Sequence, residues 1–221
     1  MVGTGLFQYT HAMSEDKKFH VARHDEREVF DRDAINRLLD NQYVAHVGFI
    51  DQDNGLPFVI PMGVARDNDR ILLHGSTGSR MMRQIAQGID LCVTVTQLNA
   101  IVVARSAFNS SMNYESVMIF GVARVLEDAE KDIALERITE KLVPGLWNYG
   151  RPLVAKEMAA TMIVELSLDK ISAKSRTGDP SDDYEDLALP IWAGLLPIET
   201  KVGTPITAAN AAAIPVPSHI A

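Results

Sequence analysis

Apolar and polar residues alternate with a period of two through much of the chain, which predicts strands more often than helices. Residues 44–50 alternate, and Asp51-Gln52-Asp53-Asn54-Gly55 follows as a hairpin signal because Asn-Gly tolerates positive φ. The return strand is expected at 56–62. Asp67-Asn68-Asp69 marks the next turn and 70–74 the next strand. Further strands are expected at 91–96, 101–107, 116–125 and 161–168, the last continuing through 171–174. Cys92 falls inside one of these runs and reads as a small buried hydrophobe.

Helical spacing occurs at three places. In 31–40, Ile35, Leu38 and Leu39 make an apolar face, with Asp31 or Asp33 as the cap. In 79–88, Met81, Met82, Ile85, Ala86 and the following Ile89 oppose Arg80, Arg83, Gln84 and Gln87. The third is 127–143, ended by Pro144-Gly145. Six or seven strands joined mainly by hairpins predict a mainly β fold with peripheral helices, an antiparallel barrel rather than a doubly wound sheet. Residues 1–18 are aperiodic and read as a flexible arm. Residues 203–221 read as an Ala/Pro-rich extended tail. One domain, 19–202, lies between them.

Composition narrows the classes. The chain has 221 residues, 47% of them hydrophobic, enough for a full core without disulfides. A formal net charge of −8 argues against non-specific nucleic-acid binding. No apolar run reaches the roughly 18 residues of a membrane helix, and none near the start has signal-peptide character. A soluble, cytoplasmic protein without membrane or nucleic-acid partners is expected. His11, His20 and His24 match no closed metal spacing, and the acidic run 179–186 departs from a calcium loop, so no metal site is expected.

Three stretches carry candidate chemistry. In His74-Gly75-Ser76-Thr77-Gly78-Ser79-Arg80, a strand ends and a helix opens. Unpaired amides at a helix start attract phosphate, the hydroxyls can donate, and Arg80 can clamp two phosphate oxygens. The stretch is neither a Walker loop nor a dinucleotide fingerprint, and an ordinary strand–turn–helix accounts for it equally well. His74 could touch a bound ring or act as an acid, although a lone histidine is more often structural. The second stretch, 104–117, reads as a polar loop between two strands, with Ser111, Asn113, Tyr114 and Ser116 offering hydrogen bonds or a stacking ring. The third is Leu56-Pro57-Phe58-Val59-Ile60-Pro61-Met62, whose two prolines predict an edge or rim strand.

In this order the stretches resemble the pyridoxamine-phosphate-oxidase-like superfamily of flavin-binding split barrels, in particular the flavin-nucleotide-binding proteins that include 5-nitroimidazole resistance proteins. Arg23-His24-Asp25-Glu26-Arg27, Val44 to Phe49, Ser111-Met112-Asn113-Tyr114 with Ser116-Val117, and Ala188-Leu189-Pro190-Ile191-Trp192-Ala193-Gly194 complete the match over about 23–198. The resemblance implies a six-stranded antiparallel Greek-key split barrel, a homodimer holding FMN at each shared interface. It places Val59, Ile60, Pro61 and Met62 along the isoalloxazine. It places His74, Gly75, Ser76, Ser79, Arg80 and Met81 around the phosphate. Ser111, Asn113 and Tyr114 then approach the ring from one side, from the partner subunit in one arrangement, and Trp192 covers it. It suggests a flavin-dependent oxidoreductase acting on an unidentified small molecule, with nitro-compound reduction as one chemistry. A non-catalytic flavin module, or the same fold holding haem or a deazaflavin, remains open. No arginine follows Arg176 to grip a substrate phosphate, which speaks against pyridoxal phosphate synthesis.

Overall fold

The computed structural model describes residues 19–21 and 23–220, so the expected arm at 1–18 lies outside the described residues. The core is an antiparallel sheet of nine strands: β1 Val44–Ile50, β2 Pro57–Asp67, β3 Arg70–Ser76, β4 Asp90–Val103, β5 Ser111–Val122, β6 Arg124–Leu126, β7 Thr161–Ser167, β8 Ile171–Arg176 and β9 Gly194–Pro197. Their order is β6-β7-β3-β2-β1-β4-β5-β8, with β9 on β4. The path of pairing does not close on itself. The mainly β, antiparallel expectation holds, but with nine strands rather than six: β6, β8 and β9 are separate short strands.

Among the described residues five α-helices surround the sheet: α1 Arg32–Asn41, α2 Arg80–Ala86, α3 Asp128–Leu142, α4 Leu146–Tyr149 and α5 Ala155–Ala160. Asp31 caps α1 by accepting the Asp33 amide, and Ile35, Leu38 and Leu39 are its buried face. Ser79 caps α2 by accepting the Met82 amide.

Two apolar clusters share β3. Ile71 and Leu73 join Val47, Val93, Val95, Ile119, Met82 and Ile85 inside the curved sheet. Leu72 points the other way, to Ile163, Leu126 and the α3 residues Ala134 and Ile138. Alternation across the pleat produces this division. It also corrects Cys92. Leu91 and Val93 face the core, so Cys92 faces outward and is half-buried.

Two further expectations change. The strands expected at 91–96 and 101–107 are one 14-residue strand, with its register shifted between Leu98 and Ala100. The polar loop expected at 104–117 is shorter, because Ser111 to Tyr114 already belong to β5, paired with Val102 to Leu98. The tail is extended, with one short 3-10 turn at Ala209–Ala211. Its His219 ring lies 5.1 Å from the ring of Tyr149.

Candidate functional site

The turn from β3 into α2 uses its own polar side chains. Ser76 Oγ accepts the Gly78 amide at 3.1 Å, Thr77 Oγ1 donates to the Ala160 carbonyl at 3.3 Å, and Ser79 Oγ accepts from Met82 N at 3.4 Å. Arg83 donates to the Gly78 carbonyl at 2.9 Å. These contacts shape a tight bend, leaving the amides of Arg80 and Met81 at helical positions without an intrahelical acceptor. Met81 itself is buried in the core, so only its backbone faces the turn. Gly75 is required by packing: a Cβ there would lie 2.7 Å from Met82 Cγ. Arg80 is half exposed. Its Nε lies 3.1 Å from Asp51 Oδ2, and its guanidinium carbon sits 5.5 Å from the centre of the Phe58 ring.

Beside this turn, Pro57 to Gly63 of β2 pair with β1 alone, and pairing with β3 begins only at Val64. The strand is therefore an edge over the two prolines, as their spacing predicts. Ile60 and Met62 pack against the core, while Val59 and Pro61 face outward.

Register places an outward row across five strands: Pro61, His46, Thr94, Met118 and Ser172. The next row is Val59, Gly48, Cys92 and Phe120. Between Thr94, Thr96, Met112, Tyr114, Met118, Lys174 and the segment at His20 lies a cavity of about 700 Å³. Tyr114 and Ser116 belong to it. Val59 to Met62 and His74 to Arg80 do not, because β1 and β4 stand between β2 and β5. A single chain thus splits the expected flavin residues into two groups. Asn113 is committed elsewhere: buried, it donates to the Gly178 carbonyl at 2.9 Å and accepts from Arg176. Ser111 is exposed at the start of β5. Trp192 is 61% exposed on the strap leading into β9, folded over Gly194, where a Cβ would come within 2.9 Å of its ring.

His74 points to neither group. It shares the face of Leu72 and lines a second cavity, of about 1000 Å³, under α3, α4 and α5. The walls are mixed: Leu135, Leu146, Trp147, Leu153 and Met158 supply apolar surface, and Asp132, Thr139, Asn148, Arg151, Glu157 and Thr161 supply polar groups. His74 Nδ1 is buried with no hydrogen-bond partner. Burial pushes the ring's pKa below its usual value, so the imidazole is neutral and keeps a lone pair for a metal ion or a proton. Glu140 fixes the far wall, accepting the amides of Gly145 and Trp147 at 2.7 and 2.9 Å. Those two bonds hold its carboxyl below the usual carboxylate range. The sequence singles out His74 but not this cavity, because its walls come from α4 and α5, which are too short to show periodicity.

Among the described residues no group of three or more histidine, cysteine or acidic side chains is placed to hold a metal ion. No helix among them is long and apolar enough to cross a membrane.

A sequence model of the family described as pyridoxamine 5'-phosphate oxidase matches residues 31–175. Among solved structures, the flavocytochrome Anf3 from Azotobacter vinelandii is 39% identical with a TM-score of 0.86, covering 95% of this chain and 96% of that one. The FAD and haem binding protein from Mycobacterium smegmatis is 37% identical with a TM-score of 0.84, covering 88% and 95%. A putative 5-nitroimidazole antibiotic resistance protein from Bacteroides thetaiotaomicron shares the fold at 21% identity and a TM-score of 0.57, covering 66% and 85%. No curated protein matches the chain.

Proposed function

The chain belongs to the pyridoxamine 5'-phosphate oxidase family, and on that premise we propose that it is a two-cofactor redox protein, binding a flavin between two copies of itself and haem in the His74 cavity. One observation carries the haem reading: a neutral imidazole with an unpartnered Nδ1 lines a large cavity walled in part by Leu135, Leu146, Trp147, Leu153 and Met158. His74 would hold a haem iron there, as a neutral histidine does in many haem proteins. The cavity is at the upper end of the 300–1,000 Å³ typical of ligand pockets. Arg151 lines it as well, with its guanidinium paired to Glu157. The relatives at 39% and 37% identity are described as a flavocytochrome and as an FAD and haem binding protein, which supports both cofactors and favours FAD over the FMN expected from sequence.

The flavin reading rests on the edge of β2 and the turn into α2. There Val59 and Pro61 face outward, and Arg80 is half exposed. Tyr114 and Ser116 of a second copy would close the site, since one chain keeps these groups apart. When bound, flavin accepts electrons in pairs and haem passes them singly. The chain's own part is to hold His74 neutral, to exclude water with Trp147 and the leucines, and to orient the flavin phosphate with Arg80.

The absorption spectrum of the purified protein tests this reading. Flavin bands together with a Soret band are expected, with His74→Ala losing the Soret band and keeping the flavin bands. The mass of the released flavin separates FAD from FMN. A protein that takes up neither added haem nor added flavin overturns the proposal. Reoxidation of the reduced protein by a nitroimidazole would make nitro-compound reduction its activity.

A further inference from the structure

Asp51 is fully buried at the end of β1. Its Oδ1 accepts the Asp53 amide at 3.1 Å, its own amide donates to the Leu56 carbonyl, and its carbonyl accepts from Gly55. These bonds close the β1–β2 turn. Oδ2 has a different role. It receives no hydrogen bond, yet Arg80 Nε lies 3.1 Å away. The contact is an ion pair in which the N–H does not aim at the oxygen. Gln84, also buried, ties the same turn to α2: its Oε1 accepts the Gln52 amide and its Nε2 donates to Asp53. The β1–β2 turn and α2 are therefore locked together, with Arg80 between Asp51 and the face of Phe58.

A buried carboxylate with one oxygen unbonded is costly unless its charge is matched. Nothing in the turn itself needs a second charged oxygen, because an amide oxygen would accept the Asp53 N–H equally well. The geometry points to Asp51 as a positioning residue that aims Arg80 at the flavin phosphate. The inference rests on the reading that Arg80 meets that phosphate. Arginine loses much rotamer freedom when fixed; Asp51 and Phe58 fix it before the anion arrives, as preorganisation requires. Half of the Arg80 side chain stays exposed for the phosphate oxygens.

The test compares FMN, used as a probe because it carries the same ribityl phosphate as FAD, with riboflavin, which has the same ring and no phosphate, by fluorescence titration of the flavin-free protein. Asp51→Asn keeps an acceptor for Asp53 and is expected to weaken FMN about tenfold while leaving riboflavin unchanged. Arg80→Lys keeps a positive charge but offers no planar fork to orient, and is expected to lose nearly as much FMN affinity as Arg80→Ala. The second comparison stands even if Asp51→Asn does not fold. Equal losses for both flavins in Asp51→Asn would make its role structural and overturn the inference. So would Arg80→Lys binding FMN like the wild type. If Arg80→Ala leaves the FMN-to-riboflavin ratio intact, it is the phosphate reading of Arg80 that fails.

Discussion

Gly63 leaves the flank of His74 open: a Cβ built on Gly63 would lie 3.7 Å from His74 Cε1, in ordinary contact and without overlap. Alanine therefore fits at this position, and a longer side chain would extend against the His74 ring. Gly63→Ala is expected to bind haem as the wild type does, whereas Gly63→Leu should shift or weaken the Soret band by turning the imidazole. Haem titration followed by absorbance reads both. His74→Ala should abolish the band and cost less than about 1 kcal/mol of stability, because Nδ1 makes no hydrogen bond to lose.

Burial lowers the pKa of His74 from its ordinary 6.5. Its contribution to stability is therefore complete above that value and is lost as pH falls toward the lowered one, where the unfolded chain binds a proton that the native ring resists. Proton competition with a metal follows the folded value. Haem affinity should stay flat from pH 8 to about 6.5 and fall only in more acid solution. Titrations at a series of pH values check this, and a decline centred at 6.5 would mean that the ring is solvated.

Glu157 belongs to the same wall and loses its contribution in the same direction, but in more acid solution. Arg151, and then the Val154 amide, hold its carboxyl down at about 2. Its support for the start of α5 is present above the ordinary carboxylate value and fades as pH falls from about 4.5 to 2. Melting temperatures of the wild type and Glu157→Gln should differ at pH 6 and converge near pH 2.

Gly75→Ala would drive a methyl to 2.7 Å from Met82 Cγ, which is close to the backbone and fully buried. Overpacking of this kind costs about 1–3 kcal/mol. Urea unfolding should show that loss, and flavin affinity should fall with it because α2 is displaced.

Met118 stands in the outward row that begins at Pro61 and is 39% exposed. If two copies meet on this face, Met118→Arg places a charge at the interface and yields a monomer without disturbing the core. Sedimentation velocity reads the outcome, and an unchanged dimer would move the interface elsewhere.

The short-range parts of this fold were legible in the sequence. Asp31 before an apolar 3–4 pattern marks α1, and strict alternation marks β1 to within its observed ends. Longer-range features were not. Strands were expected at 91–96 and 101–107, yet β4 runs unbroken through the residues between them. The bulge absorbs the mismatch, Gln97 donates to Asn99 and accepts from Gln42, and Asn99 donates to Glu115. Tertiary partners thus satisfy polar side chains that a local pattern leaves outside a strand. The turn at Ser76 to Arg80 was found, but its hydroxyls bond their own backbone and Arg80 is claimed by Asp51, 29 positions upstream in a different hairpin. The His74 cavity left no trace, since its walls are assembled from α3, α4 and α5 long after the histidine in the chain.

The division of β3 between the two apolar clusters governs how the molecule comes apart. Ile71 and Leu73 are anchored on one side and Leu72 on the other, so neither side can melt while the strand stays in place. Loss of the His74 cavity therefore removes the support for the turn at Ser76, and both ligand regions should disappear in a single cooperative transition, with no intermediate that keeps one and releases the other.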